Sequence, residues 1–412
     1  MKTILVTAYA INPYKGSEDG TGWNYVLQIA RHNKVVVVTR ENNLPHIKKY
    51  QEEHQLEMPH VAFYGFDLPK WARFWKRGGN GALLYFYLWQ YFIVNFVRRN
   101  KLQFDIAHNL NFHTDWIPTF LYKLKKPVVW GPVGHHPKVP KGYYHKGNST
   151  LVDRVKNTLI WTVKLFAWRC DPFFARAKKK VAKVICINSE VEAMMRLSES
   201  KIVRFFSVGS EPVEALQKQE NDDFVVLSIG RLVPLKGFDI TLASFHLFLK
   251  SLSPVQREKA KLIIIGKGKM KESLQNYINE HKLNAHVELK EWMDRSTLME
   301  YYAKSKVFLF PSHEGAGMVV PEAMSYGMPV LCFDNCGPGA FVNATCGLKI
   351  PYTNYTKSID GFASALQALF HSKALGNRLS IGARKRFKDS FLWNSKGDVL
   401  KEVYTDLLSN KH

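Results

Sequence analysis

Residues 307–327 read VFLFPSHEGAGMVVPEAMSYG. Val307–Phe310 is a short, continuous apolar run, as a strand covered on both faces requires. Pro311-Ser312 ends it, a glycine-bearing loop follows, and Pro321 sits where a helix tolerates proline best, in its first turn. The same grammar recurs upstream, where Phe224–Ile229 leads through Gly230-Arg231-Leu232-Val233-Pro234-Leu235-Lys236-Gly237 into a helical stretch from Phe238 to Leu252. Working outward, strands are predicted at Lys2–Ala8, Lys34–Val38, Val61–Tyr64, Ile106–His108, Val128–Trp130 and Val184–Ile187. A second series comprises Phe224–Ile229, Lys261–Ile265, His286–Leu289, Val307–Phe310 and Val330–Cys332, with helix-length segments such as Lys269–His281 between. Alternating strand and helix predicts an α/β protein with two doubly wound parallel sheets. Hydrophobicity falls over Ser207–Glu220, which divides the chain into domains 1–212 and 213–412, with allowance for the last helix to cross back. Sheets of this kind take ligands beyond the carboxyl ends of their strands, so a site in a cleft between the domains is expected.

The two quoted segments also carry the chemistry. Glu314 falls on the loop and Glu322 in the first turn of the helix, beside the backbone amides of Gly315, Ala316, Gly317 and Met318. Carboxylates accept hydrogen bonds from vicinal hydroxyls, and amides at a loop or helix start meet anionic oxygens. Arg231 and Lys236, five positions apart on the other turn, can neutralise a diphosphate, Arg through its fork and Lys as a point charge. A polyhydroxylated, phosphorylated ligand suits this set. Solvated charges that merely favour a helix dipole are the plainer alternative for each residue taken alone.

Together the two segments resemble the retaining glycosyltransferases of the GT-B fold, in the large family four that includes sucrose synthase and the bacterial phosphatidylinositol mannosyltransferases. The likeness extends over nearly the whole chain and is stronger in the second half. It implies that Arg231 and Lys236 grip the donor diphosphate, that Glu322 holds the ribose hydroxyls, and that Glu314 and the following amides sit against the donor sugar. Gly266-Lys267-Gly268 matches the family's Gly-x-Gly near the nucleotide base, and Gly20 and Gly22 of residues 16–24, GSEDGTGWN, resemble its glycine loop after the first strand. Residues 130–137, WGPVGHHP, are similar to a loop of a polysaccharide-associated branch. Val133 stands where the wider family often has a histidine against the donor sugar, which leaves His135 or His108 as substitutes.

Composition limits the alternatives. With 412 residues, 46% hydrophobic and 23% charged, the chain suits two or three globular domains. No apolar run reaches the ~20 residues needed to span a bilayer. Five cysteines without a CxxC pair fit reduced thiols and a cytoplasmic location. The N-terminal run Thr3–Ile11 reads as a buried first strand in preference to a secretory signal. No Asp-x-Asp occurs, so the diphosphate must be stabilised by Lys and Arg; no metal and no cofactor beyond a nucleoside-diphosphate-sugar co-substrate is expected. The absence of a Gly-x4-Gly-Lys-Ser/Thr loop disfavours P-loop ATP chemistry.

Net charge is +23, with 32 Lys and Arg against 15 Asp and Glu in residues 1–212 and 26 against 20 in the remainder. So one-sided a field suggests a polyanionic partner for the first half, whether nucleic acid, an anionic membrane face or a phosphorylated substrate, with solvated lysines that only aid solubility as the plainer alternative. Residues 71–101 and 154–183 mix Trp, Phe and Tyr with Lys and Arg, as interfacial helices do at anionic lipid, although buried helices would explain them too. The reading is therefore a metal-independent, retaining glycosyltransferase acting on a lipid-linked or glycan acceptor in bacterial surface polysaccharide or glycolipid synthesis. It would lie peripherally on the inner face of the cell membrane, with no nucleic-acid partner. The catalytic set is Glu314, Arg231, Lys236 and His135. A sugar-nucleotide epimerase or phosphorylase-like enzyme of the same fold is the enzymatic alternative, and a basic membrane- or nucleic-acid-binding scaffold the non-catalytic one.

Overall fold

The computed structural model describes residues 1–76, 81–110, 114–143, 151–212 and 223–409. It separates into two compact units, the first formed by Met1–His135, Ile160–Ser207 and Trp393–His412, the second by His136–Leu159 and Val208–Leu392. The units interleave along the chain, unlike a single cut at residue 212, and burial explains why. Tyr143 is 1% exposed among the apolar residues of the second unit, where its hydroxyl meets Ser358 Oγ at 2.8 Å. The final helix, Trp393–Ser409, buries Trp393, Leu400, Val403 and Tyr404 in the first unit's core. Most of the linker anticipated over Ser207–Glu220 lies outside the described residues.

The first unit carries strands β1 (Thr3–Ala8), β2 (Lys34–Thr39), β3 (Val61–Gly65), β4 (Ile106–Leu110), β5 (Val128–Val133), β6 (Lys183–Cys186) and β7 (Ile202–Arg204). All pair in parallel, in the order β3-β2-β1-β4-β5-β6-β7. The second carries β8 (Phe224–Ile229), β9 (Ala260–Ile265), β10 (Val287–Lys290), β11 (Val307–Phe310), β12 (Val330–Asp334) and β13 (Gly347–Pro351), parallel and ordered β10-β9-β8-β11-β12-β13. Each chain segment builds outward from its first strand and then returns to add strands on the other side. The order reverses between β1 and β4 in one sheet and between β8 and β11 in the other, and such reversals open crevices at the carboxyl ends of the strands. The short edge strands β7 and β13 escaped the sequence reading, because Arg204 and Lys349 interrupt what would be apolar runs.

The aromatic stretch within 71–101 is chiefly a core helix. Ala82–Arg99 buries Tyr85, Phe86, Trp89, Gln90, Ile93, Val94 and Val97. Burying a large apolar side chain stabilises by roughly 1.5–3 kcal/mol, so this face is committed to the fold, while Trp71, Phe74, Leu84 and Phe92 stay exposed. In the helix Leu151–Cys170, by contrast, Val155, Leu159, Val163 and Phe166 form an exposed apolar stripe. No helix among the described residues is long and apolar enough to cross a membrane.

Gly237 shows where backbone geometry leaves no freedom. Its φ is +69°, and a Cβ there would lie 2.0 Å from the carbonyl oxygen of Pro311. Gly237→Ala is expected to cost about 1–3 kcal/mol and to lower the melting temperature by several degrees. Gly376, within the helix Lys373–Ser390, has nothing within 4 Å of an added Cβ. Gly376→Ala is expected to stabilise by roughly 0.5–1 kcal/mol. Calorimetric melting of both variants checks the pair, and equal shifts would contradict the argument.

Candidate active site

Three neighbouring strands of the second sheet, β9, β8 and β11, deliver the predicted residues to one edge. Beyond β8 the chain turns at Gly230, presents Arg231, makes a helical turn over Pro234–Lys236, and enters the helix Phe238–Lys250. Beyond β11 it runs through Pro311–Met318 into the short helix Val319–Ser325. These loops flank the β8/β11 reversal. The N–H of His313 donates to the carbonyl of Leu235 at 2.9 Å and thereby ties one loop to the other.

The closest contact of functional groups joins the loops as well. Lys236 Nζ donates to Glu314 Oε2 at 2.6 Å, with the two side chains only 11% and 16% exposed. The ammonium also lies 5.0 Å from the centroid of the Phe310 ring, a favourable cation–π placement. Arg231 is exposed, and its guanidinium makes no hydrogen bond or ion pair among the described residues. One cation is thus held in place by a carboxylate and another stands unpaired beyond the same strand.

The loop around Glu314 is fixed from several sides. Its amide donates to Ser312 Oγ at 3.3 Å, and Asn335 Nδ2 donates to the Ser312 carbonyl at 2.9 Å. The His313 ring packs on Phe333, and its Nδ1 lies 2.8 Å from the Tyr352 hydroxyl. Burial pushes its pKa down to about 4, so the imidazole is neutral at pH 7. The Gly315 amide donates to Nδ1 of His136 at 3.2 Å. That occupies one of the amides expected to face a ligand, whereas those of Ala316 and Gly317 have no acceptor among the described residues. Sequence reasoning passed over His136; nothing in the His-His pair distinguishes which ring reaches the loop.

Glu322 has a separate environment. Tyr302 donates its hydroxyl to Oε2 at 3.0 Å, and Arg295 Nη1 lies 3.3 Å from Oε1. Burial raises the carboxyl's pKa, and the Arg295 charge opposes that rise. Such a carboxylate is built in, not merely solvated. Gly266 and Gly268 have packing reasons for being glycine, since a Cβ on Gly266 would meet the Gly230 carbonyl oxygen at 1.9 Å and one on Gly268 the Leu232 carbonyl oxygen at 2.4 Å.

The remaining residues lie in the first unit. Gly20 and Gly22 are not on a loop but within the first turns of the helix Ser17–Ala30. A Cβ on Gly20 would stand 2.3 Å from the Lys15 carbonyl oxygen, so close backbone approach explains that glycine. His108 is a core histidine. Its Nδ1 lies 2.6 Å from the Tyr404 hydroxyl and its Nε2 2.7 Å from the Gly131 carbonyl oxygen, so Nε2–H donates and Nδ1 accepts. Burial lowers its pKa to about 4. With both nitrogens engaged it is not a substitute for the family's sugar-contacting histidine. His135 is 5% exposed, with Nδ1 2.7 Å from Asp115 Oδ2 and its ring beside Trp161 and Trp168.

Known proteins resemble the chain in sequence and in fold. Residues 213–386 match the family described as Glycosyl transferases group 1. An uncharacterized glycosyltransferase of Haemophilus influenzae is 33% identical over 130 residues, 31% of this chain and 34% of that protein. The capsular polysaccharide biosynthesis glycosyltransferase CapM of Staphylococcus aureus is 26% identical over 199 residues, 47% of this chain and 49% of that protein. The chain thus spans a third to a half of the length of these two relatives. Among solved structures, S. aureus TarM in complex with Fondaparinux, alpha-GlcNAc-glycerol and UDP superposes with a TM-score of 0.65 at 15% identity, covering 99% of each chain. The fold is GT-B.

Proposed function

We propose, for a chain whose residues 213–386 match the family described as Glycosyl transferases group 1, that it moves a sugar with retention of configuration from a nucleoside-diphosphate-sugar to a hydroxyl acceptor. The carrying observation is the Lys236–Glu314 pair at the β8/β11 reversal, with unpaired Arg231 beyond the same strand. Departure of the diphosphate concentrates negative charge on its oxygens. A preorganised ammonium and a guanidinium fork stabilise that charge without a divalent ion. Glu322, held by Tyr302, is suited to accept from ribose hydroxyls, and Glu314 to orient the sugar while fixing Lys236. Among the described residues no side chain stands out as a nucleophile, and acceptor attack on the leaving-group face is what the resemblance to the retaining family implies.

The relatives' names, a capsular polysaccharide glycosyltransferase and a protein crystallised with UDP and alpha-GlcNAc-glycerol, support a surface-glycan or glycolipid acceptor. Incubation with UDP-, GDP- and ADP-sugars, with and without EDTA, tests the reading. One donor should raise the melting temperature and yield an α- or β-product matching its own anomeric configuration, undiminished by EDTA. An inverted product or loss of activity with EDTA contradicts the mechanism, and no stabilisation by any donor contradicts the function.

Peripheral attachment to an anionic leaflet belongs to the same proposal. Its supports are the basic first half and the exposed stripe Val155, Leu159, Val163 and Phe166. Each Lys or Arg near such a surface contributes about 1 kcal/mol, and screening confines the attraction to ~8 Å at physiological salt. Binding to phosphatidylglycerol vesicles should fall sharply by about 0.5 M salt, well beyond that regime. Charge reversal at the exposed Arg98, Arg99 and Lys101 should weaken it and leave nucleotide affinity unchanged. Absence of vesicle binding at low salt would rule the attachment out.

A further inference from the structure

The first unit gathers three cations around one carboxylate beyond the carboxyl ends of β1, β2 and β3, which are adjacent in its sheet. Asp67, two residues past β3, is 3% exposed in its side chain. Its Oδ1 accepts from Arg40 Nε at 2.9 Å and from the Tyr85 hydroxyl at 2.6 Å, while Arg73 Nη1 lies 3.3 Å from Oδ2. Arg40, directly after β2, also stands over the rings of Tyr9 and Tyr85, at 5.2 and 5.3 Å from their centroids. Lys76 Nζ lies 4.9 Å from the centroid of the Tyr85 ring and has no hydrogen-bond or ion-pair acceptor among the described residues. The side chains of Arg40 and Arg73 are only 17% and 26% exposed, so water screens the group incompletely.

Asp67 neutralises one of the three charges, and both its oxygens are already engaged. Two positive charges remain in a half-buried setting where like charges repel. Consistently, burial lowers the pKa of Lys76, and Arg40 and Arg73 lower it further against the single raising charge of Asp67. A fold that needed only to close this edge of the sheet would not retain that repulsion. Arg73 and Lys76 instead present unspent donors around a buried anchor, as recognition of a phosphate or carboxylate requires.

We propose that Arg40, Arg73 and Lys76 form a binding site for an oxyanion carried by the acceptor, a phosphate or a carboxylate, distinct from the donor diphosphate site of the second unit. Arg40 and Asp67 are the fixed frame, and Arg73 and Lys76 the contacts. Only the term acceptor rests on the proposed transferase activity; oxyanion binding does not.

Calorimetric titration of the full chain with sn-glycerol 1-phosphate and with D-glucuronate tests the site and separates the two sources of the anion. The titrations use the Arg231→Ala/Lys236→Ala background, which removes diphosphate-type binding from the second unit. At least one probe should bind that variant, and adding Arg73→Gln/Lys76→Gln should weaken it tenfold or more, whereas Arg73→Lys/Lys76→Arg should retain most of the affinity. Tighter binding of the phosphate points to a phosphorylated acceptor, and tighter binding of glucuronate to an acidic glycan. The glutamine pair should stay folded, because Arg40 and the Tyr85 hydroxyl still hold Asp67 and a glutamine at 73 keeps a donor for its other oxygen. Binding of neither probe, or unchanged affinity in the glutamine pair, overturns the proposal. Loss of probe binding in that pair, in a chain that stabilises with no sugar nucleotide, would uphold this site and reject the transferase reading.

Discussion

Alanine at Lys236 is expected to lower sugar transfer at least tenfold, and alanine at both Lys236 and Arg231 by more than a hundredfold, with the fold intact. A charge-assisted hydrogen bond contributes roughly 1.5–3 kcal/mol, and each ~1.4 kcal/mol lost from transition-state stabilisation is tenfold in rate. The loss should fall mainly on turnover, because negative charge on the diphosphate grows as the sugar leaves. Lys236 has a second role in the structure, the 2.6 Å pair with Glu314. If balancing that carboxylate were its whole purpose, Glu314→Gln would restore activity to the Lys236→Ala variant. In the donor-grip reading no such rescue occurs, and nucleoside diphosphate affinity falls in Lys236→Ala whichever residue stands at 314. Near-normal turnover in both single variants would remove the assignment.

The parts legible in the sequence were those encoded locally. Phe224–Ile229 and Val307–Phe310 were read with their observed limits because unbroken apolar runs ended at Gly230 and Pro311. The assignment of Arg231, Lys236, Glu314 and Glu322 to one ligand rests on the resemblance to the retaining glycosyltransferases, and the α/β rule adds only that each follows a strand ending at the same edge. Their contacts could not be read. Lys236 and Glu314 are 78 residues apart, and only the β8–β11 pairing brings them together. The resemblance to the family's glycine loop predicts Gly20 on a loop; it lies instead in the helix Ser17–Ala30, where the Lys15 carbonyl pressing on its backbone leaves no room for a Cβ. Ala82–Val97 is so apolar that no period separates a core face from a surface face, and burial of Trp89 and Ile93 became evident only with the sheet beneath them. Arg40, Arg73 and Lys76 registered merely as part of a basic first half, because it takes the tertiary fold to set them around Asp67.

The two glutamates should separate binding from chemistry. Glu322→Ala is expected to weaken the sugar-free nucleoside diphosphate by tenfold or more, from the loss of charge-assisted bonds worth roughly 1.5–3 kcal/mol. The Tyr302 hydroxyl, deprived of its acceptor, could add a stability cost to that variant, so Glu322→Gln, which keeps an oxygen for Tyr302, is the cleaner comparison. Burial raises the Glu322 pKa, and a raised carboxyl takes up its proton at a higher pH than an exposed glutamate would. Ribose hydroxyls bind the ionised form best, so nucleotide affinity should decline on acidification before ordinary glutamates titrate. Glu322→Gln should abolish that decline. Glu314→Ala should behave differently, because it frees Lys236 from its ion pair and leaves the ammonium to the diphosphate. Nucleotide affinity should then hold or rise slightly while transfer drops, since the sugar has lost the group that orients it. Calorimetry with the nucleotide at several pH values, set beside transfer rates, measures both effects. Equal losses of nucleotide affinity in the two alanine variants, or a pH profile unchanged by Glu322→Gln, would mean that the two carboxylates do not divide the donor in this way.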